Sequence, residues 1–250
     1  MSQVLFSFFR YPMRKIPGAL LLMGFQRLLA GRDMPAGVVR LMGCGSGDGF
    51  SVVPDLRAYC LMRVLANPND EARLRRSRFY RAVAESSSDQ LHFTLTPLSR
   101  RGTWDGEAVF NCRGASSSDR PLAVLTRARV TPGRALDFWR SVPGIRRQLR
   151  DTPGCAYHIG FGEHPLLTLA TFSVWDGPAS MQGFAYRNTP HHRAGHASRR
   201  EDWLSESMFV RFALERLEGD LERYPRLAAI MGSRACHPPH RDRSGASRTQ

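Results

Sequence analysis

The feature that most constrains the fold is an order of elements that occurs twice. Before a small, polar stretch, Arg113–Asp119, Val4–Phe9 reads as a strand and Pro17–Leu29 as a helix, with proline near its start and Gly31 beyond its end. Val38–Met42 is a short apolar strand running into a glycine-rich turn; a strand at Tyr59–Leu65, a helix at Asp70–Ala84 and a strand at Leu91–Leu95 follow. After that stretch the series returns: strand Leu122–Val130, helix Ala135–Val142, strand Ala156–Phe161 entering a glycine turn, and strand Leu166–Trp175. Helices at about Pro178–Tyr186 and Pro190–Asp202 and a strand at Met208–Leu214 complete it. Each series is β-α-β-β-α-β, the ferredoxin-like unit. The expected fold is α+β: two such halves, each with a four-stranded antiparallel sheet, forming an α+β barrel with helices outside and a cavity between the sheets. The hinges correspond, Leu41-Met42-Gly43-Cys44-Gly45 in one half and His158-Ile159-Gly160-Phe161-Gly162 in the other.

The expected boundaries are 1–112 for the first half, 113–120 for the linker, 121–218 for the second half and 219–250 for an Arg-rich tail. That tail, rich in Arg, Pro, Ser and His, is expected to be mostly disordered, without packed contacts from about Gly232.

The net charge is +14, and nearly all of it is arginine; Lys15 is the only lysine. Such a charge suits nucleic acid or an anionic membrane surface. No helix-turn-helix, zinc-finger or RNA-binding signature accompanies it, so nucleic acid is not expected as a partner. No run reaches the roughly 20 apolar residues that span a bilayer, and the apolar start is broken by Arg10, Arg14 and Lys15, unlike a signal peptide. A cytoplasmic protein, with peripheral membrane contact left open, is the expectation. The five cysteines are widely spaced and odd in number, which points to free, mostly buried thiols.

The run Gly43-Cys44-Gly45-Ser46-Gly47-Asp48-Gly49-Phe50 follows a strand, but the extended Phe50–Pro54 follows it where a phosphate-binding loop needs a helix. A close-packed or flexible backbone turn beside the cavity is the better reading. Thr189-Pro190 is a helix start, which puts His191 and His192 in the first turn. There the helix dipole favours neutral imidazole, the form that ligates iron or accepts a proton. His192, His196, Arg199 and Trp203 fall on one helical face, with His191 to one side. Taken alone, these histidines read first as exposed or capping residues. On the strands, Arg127 and Arg129 share a face with Ala123 and Leu125, and Arg211 shares one with Phe209. Facing a cavity they suit an anionic group such as a haem propionate; facing water they need no explanation.

Several pieces, in order, resemble the spheroidene monooxygenase family of carotenoid biosynthesis. They are Phe6–Arg10, the glycine-rich Arg40–Phe50, Thr103–Gly106, Leu125–Ala128, Ile159–Glu163, Thr171–Trp175, Phe184-Ala185, a His and an Arg before Trp203, and Arg211-Phe212. The resemblance spans about residues 4–213. It implies a haem-dependent monooxygenase that uses dioxygen and an electron donor to hydroxylate one carbon of a long apolar substrate twice, giving a ketone. By spacing to Trp203 it puts the iron ligand on His191, with His192 as its neighbour and alternative, and the family's arginine on Arg199. Arg127, Arg199 and Arg211 would be propionate or peroxide partners. The chain departs from the family at His196, where an arginine is usual, and in the aliphatic Leu61-Met62-Arg63-Val64. Two rivals remain: a cofactor-independent monooxygenase of the same architecture, and a non-enzymatic binder of haem or another lipophile.

Overall fold

The structure is a computed structural model, and it describes residues 3–29, 34–47, 49, 51–112, 114, 120–164, 166–186 and 202–235. Eight strands form it: β1 (Gln3–Arg10), β2 (Val39–Gly45), β3 (Pro54–Leu65), β4 (Asp89–Gly102), β5 (Leu122–Val130), β6 (Cys155–His164), β7 (Thr168–Trp175) and β8 (Leu204–Gly219). The helices are α1 (Ile16–Gly24), α2 (Gln26–Leu29), α3 (Glu71–Arg76), α4 (Arg78–Glu85), α5 (Ala135–Asp151), α6 (Pro178–Tyr186) and α7 (Pro225–Ala235). Around the barrel the strands run β1-β3-β2-β6-β7-β5-β8-β4, closed, with every pairing antiparallel. Each half is thus a ferredoxin-like sheet, β4-β1-β3-β2 and β8-β5-β7-β6, as the repeated order predicts.

The halves join along two seams. On one, Cys44 lies opposite Phe161, the same position in each hinge. On the other, Leu95 lies opposite Leu214. An approximate twofold axis therefore passes through both seams, and it matches Arg10 to Arg127, Phe9 to Thr126 and Tyr59 to Thr171. Gly49, at φ 82°, lies over the first seam; a Cβ there would sit 2.1 Å from the Gly160 nitrogen, so only glycine fits. The glycine-rich run is a close-packed turn, as its sequence suggests.

The space between the sheets differs from expectation. Alternation sends Phe6 and Phe8 of β1, Phe93 of β4, Phe161 of β6, Phe172 of β7 and Phe212 of β8 into one shared apolar core. Phe6 stacks on Phe172 at 4.9 Å, and Trp104 and Phe110, beyond the end of β4, are buried in the same cluster. Aromatic side chains fill the interior, so the cavity predicted between the sheets is replaced by packed core.

Outside the barrel the halves have separate cores. Leu5, Phe9, Leu41, Tyr59, Leu61 and Leu65 pack under α1, α3 and α4. Leu122, Val124, Cys155 and Trp175 pack under α5 and α6. The predicted helix Asp70–Ala84 is two helices, because the Ser77 hydroxyl accepts a hydrogen bond from the Tyr80 N–H (3.2 Å) and caps α4 as a new start. The predicted Pro17–Leu29 helix breaks at Phe25. The expectation for 219–250 is corrected in part: α7 packs its wholly buried Leu227 and the buried Ile230 against the body. The stretch 236–250 and most of Arg113–Asp119 lie outside the described residues. No helix among the described residues is long and apolar enough to cross a membrane.

Candidate functional site

The twofold axis makes the two outer sheet faces comparable row by row. In the first half one row runs Gln90–Phe9–Tyr59–Gly43. Its counterpart runs Phe209–Thr126–Thr171–Gly160. Phe9 and Tyr59 are each 2% exposed beneath their helices. Thr126 is exposed, and Thr171 and Phe209 are half-buried. The next rows run His92–Ser7–Leu61–Leu41 and Arg211–Val124–Ser173–His158. His92 is closed off: its Nδ1 lies 2.9 Å from the Ser7 hydroxyl and its Nε2 3.1 Å from Gln90 Oε1. Burial and the nearby Arg75 lower its pKa to about 4, so it is neutral. Arg211, at the matching place, is half-buried, and its Nε donates to the Ser99 hydroxyl (2.9 Å). The second sheet thus presents outward a floor of two threonine hydroxyls bordered by a phenyl ring and a guanidinium.

Gly160, at the end of the second row, also lines a cleft of about 280 Å³ over the glycine seam. Gly43, Gly160 and Gly162 line its base, and Leu20 and Met23 of α1, Trp139 of α5 and Leu169 of β7 line its walls. The glycines carry no side chains to fill the base. The Trp139 indole N–H is held by the Leu166 carbonyl (3.0 Å). The lining is mostly apolar, with Ser51, Asp55, Glu163, His164 and Thr168 as its polar members.

Arg127 points inward, on the face it shares with Ala123 and Leu125, and is 1% exposed. Its Nη1 donates to Glu206 (2.7 Å) and its Nη2 to Asp105 (2.9 Å) and Glu163 (3.3 Å). The guanidinium carbon stacks 4.8 Å over the Trp104 ring. Burial raises the Glu206 pKa, but hydrogen bonds from the Gly106 N–H, Arg127 and Thr103 outweigh it and hold the carboxyl at about 2. Arg127, expected as a catalytic or propionate-binding residue, has its terminal nitrogens engaged by three carboxylates, which Arg40 and Arg129 also meet. Arg129 also pairs with Asp105. Sequence reading missed these partners because Asp105, Glu163 and Glu206 come from three separate segments.

His191, His192, His196 and Arg199 lie outside the described residues. The chain leaves α6 at Tyr186 and returns at Asp202, whose carbonyl accepts from the Thr131 hydroxyl (3.0 Å), while the Trp203 carbonyl accepts from the Thr131 N–H (2.8 Å). Trp203 is buried. Cys44, Cys60, Cys112 and Cys155 are free thiols, and all but Cys112 are buried. Burial pushes Cys155 up to about 12, so it stays protonated beside His158. No group of three or more His, Cys, Asp or Glu suited to a metal ion occurs among the described residues. A haem takes a single protein ligand as its minimum, so that absence does not bear on one; His158, in the row beside the floor, and His164, at the cleft, are the described imidazoles nearest the site. Arg211, half-buried beside the threonine floor, has its Nε on the Ser99 hydroxyl, whereas Arg127 is buried among carboxylates.

Fold and faces together define a class: a duplicated ferredoxin-like α+β barrel with one closed outer face and one with a polar floor. The architecture is shared with an aldoxime dehydratase solved in complex with butyraldoxime, which is 11% identical and matches with a TM-score of 0.56 over 92% of this chain and 84% of that one. Two curated sequences are much nearer. The spheroidene monooxygenase of Rhodobacter capsulatus is 34% identical over 183 residues, 72% of this chain and 76% of that protein. That of Rubrivivax gelatinosus is 34% identical over 204 residues, 79% of this chain and 78% of that protein. No family model matches the chain. The chain belongs to the spheroidene monooxygenase family.

Proposed function

We propose that this protein is a haem-dependent monooxygenase that places a keto group on a carotenoid or another long apolar substrate. Family membership supports the reaction class and the substrate class. The observation that carries the reading is the unequal filling of the two outer faces: where Phe9 and Tyr59 close the first, Thr126 and Thr171 leave the second with a polar, partly open floor.

A bound haem would supply the activation of dioxygen. His191 would be its axial ligand, with His192 as the alternative; a helix start at Thr189-Pro190, as the sequence predicts, would favour the neutral form of either imidazole. Arg211 would pair with a propionate, and Arg199 would serve as a further propionate or peroxide partner. The Thr126 and Thr171 hydroxyls would offer hydrogen bonds at the floor, and the Phe209 ring borders it. The apolar walls of the seam cleft orient the substrate and exclude water. Each hydroxylation puts one oxygen atom of dioxygen on carbon and releases the other as water, consuming two electrons and two protons from a donor. A second round at the same carbon gives a gem-diol, which loses water to the ketone.

Titrating the purified protein with hemin is the test. A saturable Soret band with one haem per chain is expected, and His191→Ala should abolish most of that affinity while the protein stays folded. An unchanged spectrum in His191→Ala passes the ligand role to His192. Turnover without any Soret band would instead mark a cofactor-independent monooxygenase.

A further inference from the structure

All eleven exposed large apolar side chains among the described residues sit on segments that wall the seam cleft. Six lie between Met13 and Leu29, three between Val52 and Leu56, and the others are Leu136, one turn before Trp139 on α5, and Leu166 in the β6–β7 turn. Leu20, Val52, Leu56 and Leu166 line the cleft while remaining exposed, so they form its rim. Leu21 of α1, Phe25 at the break and Leu28 of α2 are 57%, 52% and 79% exposed. Scattered apolar residues need no explanation, whereas a set concentrated around one opening does.

Charge accompanies the rim. The stretch 13–29 carries Arg14, Lys15 and Arg27, all exposed, and no acidic residue. Among the described residues these three make no ion pair. A second copy of the chain is a poor occupant, because a twofold contact would bring these cations against their own copies in a chain of net charge +14. An anionic lipid surface satisfies both features: acyl chains take the apolar rim and headgroups take the cations.

We infer that the α1–α2 face and the rim of the seam cleft dock on an anionic bilayer, with the cleft opening toward the lipid. A long apolar substrate dissolved in that bilayer would then pass from acyl chains to the cleft without crossing water. This deepens the proposed function by naming where the substrate comes from, but docking itself requires neither haem nor turnover.

The test is co-sedimentation of the full chain with vesicles of phosphatidylcholine, with and without phosphatidylglycerol. Binding is expected on the phosphatidylglycerol vesicles and should weaken at high salt. The variant Leu21→Glu/Phe25→Glu/Leu28→Glu should lose it while keeping its melting temperature and any Soret band, since these side chains are exposed. Arg14→Gln/Lys15→Gln/Arg27→Gln leaves the apolar face intact and should lower affinity for anionic vesicles about a hundredfold. Absence of wild-type binding, or equal binding by the first variant, overturns the inference. A dimer in solution that the first variant disperses would assign the face to a second copy and overturn it as well. Vesicle binding without a hemin response would leave docking standing and sink the haem reading alone.

Discussion

At matched places on the outer sheet faces, the first half carries Phe9 and Tyr59 and the second carries Thr126 and Thr171. Aromatic rings there fill the space under the helices of the first half, whose outer core unites α1, α3 and α4. The hydroxyls of the second half do not, and their neighbour Arg211 stands where the first half buries a neutral His92. The inward positions show a second contrast. Arg10 has a half-exposed guanidinium paired with Asp55, whereas its counterpart Arg127 is sealed among three carboxylates. A duplicated fold thus has one half kept as scaffold and the other modified on its outer face, with the altered charges locked at the barrel end.

The most severe way to break this contrast is to make the second face like the first. Thr126→Phe/Thr171→Tyr should abolish the hemin-induced Soret band and turnover while leaving the melting temperature within a few degrees. A variant that still binds hemin normally would show that the floor is not the seat.

Arg127→Met should cost about 3–5 kcal/mol, because it takes from the largely buried Glu206 its nearest cation, while Asp105 and Glu163 keep Arg129 and Arg40. Arg10→Met should cost less than about 1 kcal/mol, since its ion pair faces water. Urea denaturation of both variants checks the ratio, and equal costs would remove the distinction between the two positions.

Ser7→Ala should cost about 1–3 kcal/mol by leaving the buried His92 Nδ1 without its partner. Thermal unfolding measures it, and the hemin spectrum should not move.

The smallest effects are in pH dependence. His92 is held neutral in the folded state down to about pH 4, whereas an unfolded histidine takes a proton near 6.5. Its contribution is present above that value and falls away as pH drops from 6.5 toward 4. Glu206, lowered to about 2 from 4.5, contributes stability above 4.5 that is lost between 4.5 and 2. His92→Gln should flatten the upper part of the stability–pH curve and Glu206→Gln the lower part. A variant that flattens the other window would reverse the assignment.

The duplicated order of elements was readable because strand period and turn residues are local signals: Val4–Phe9 alternates, and Gly43 and Gly160 mark matching hinges. The filled interior was also present as Phe6 and Phe8 on one face, but whether two such faces leave a cavity depends on partners far along the chain. The missed α7 had a signal, Pro225 at its start and Leu227, Ile230 and Met231 at helical spacing, hidden by the arginine-rich composition around it. The orientations of Arg127 and Arg211 followed from alternation, whereas the three carboxylates around Arg127 are brought together only by closure of the barrel. The contrast between Phe9 and Thr126 becomes visible only once the register matches the two halves.

Barrel closure also governs how the chain is made. As it leaves the ribosome, the first sheet is complete long before its borders are: Cys44 waits for Phe161, and Leu95 waits for Leu214. Until then β2 and β4 are open template strands, and the inward aromatic face beside them is bare. Such separated pairings slow folding, and an unpaired edge beside bare aromatics invites aggregation. Production of this protein is therefore vulnerable at the stage when half the chain exists, and chaperone capture of that nascent half should raise its yield.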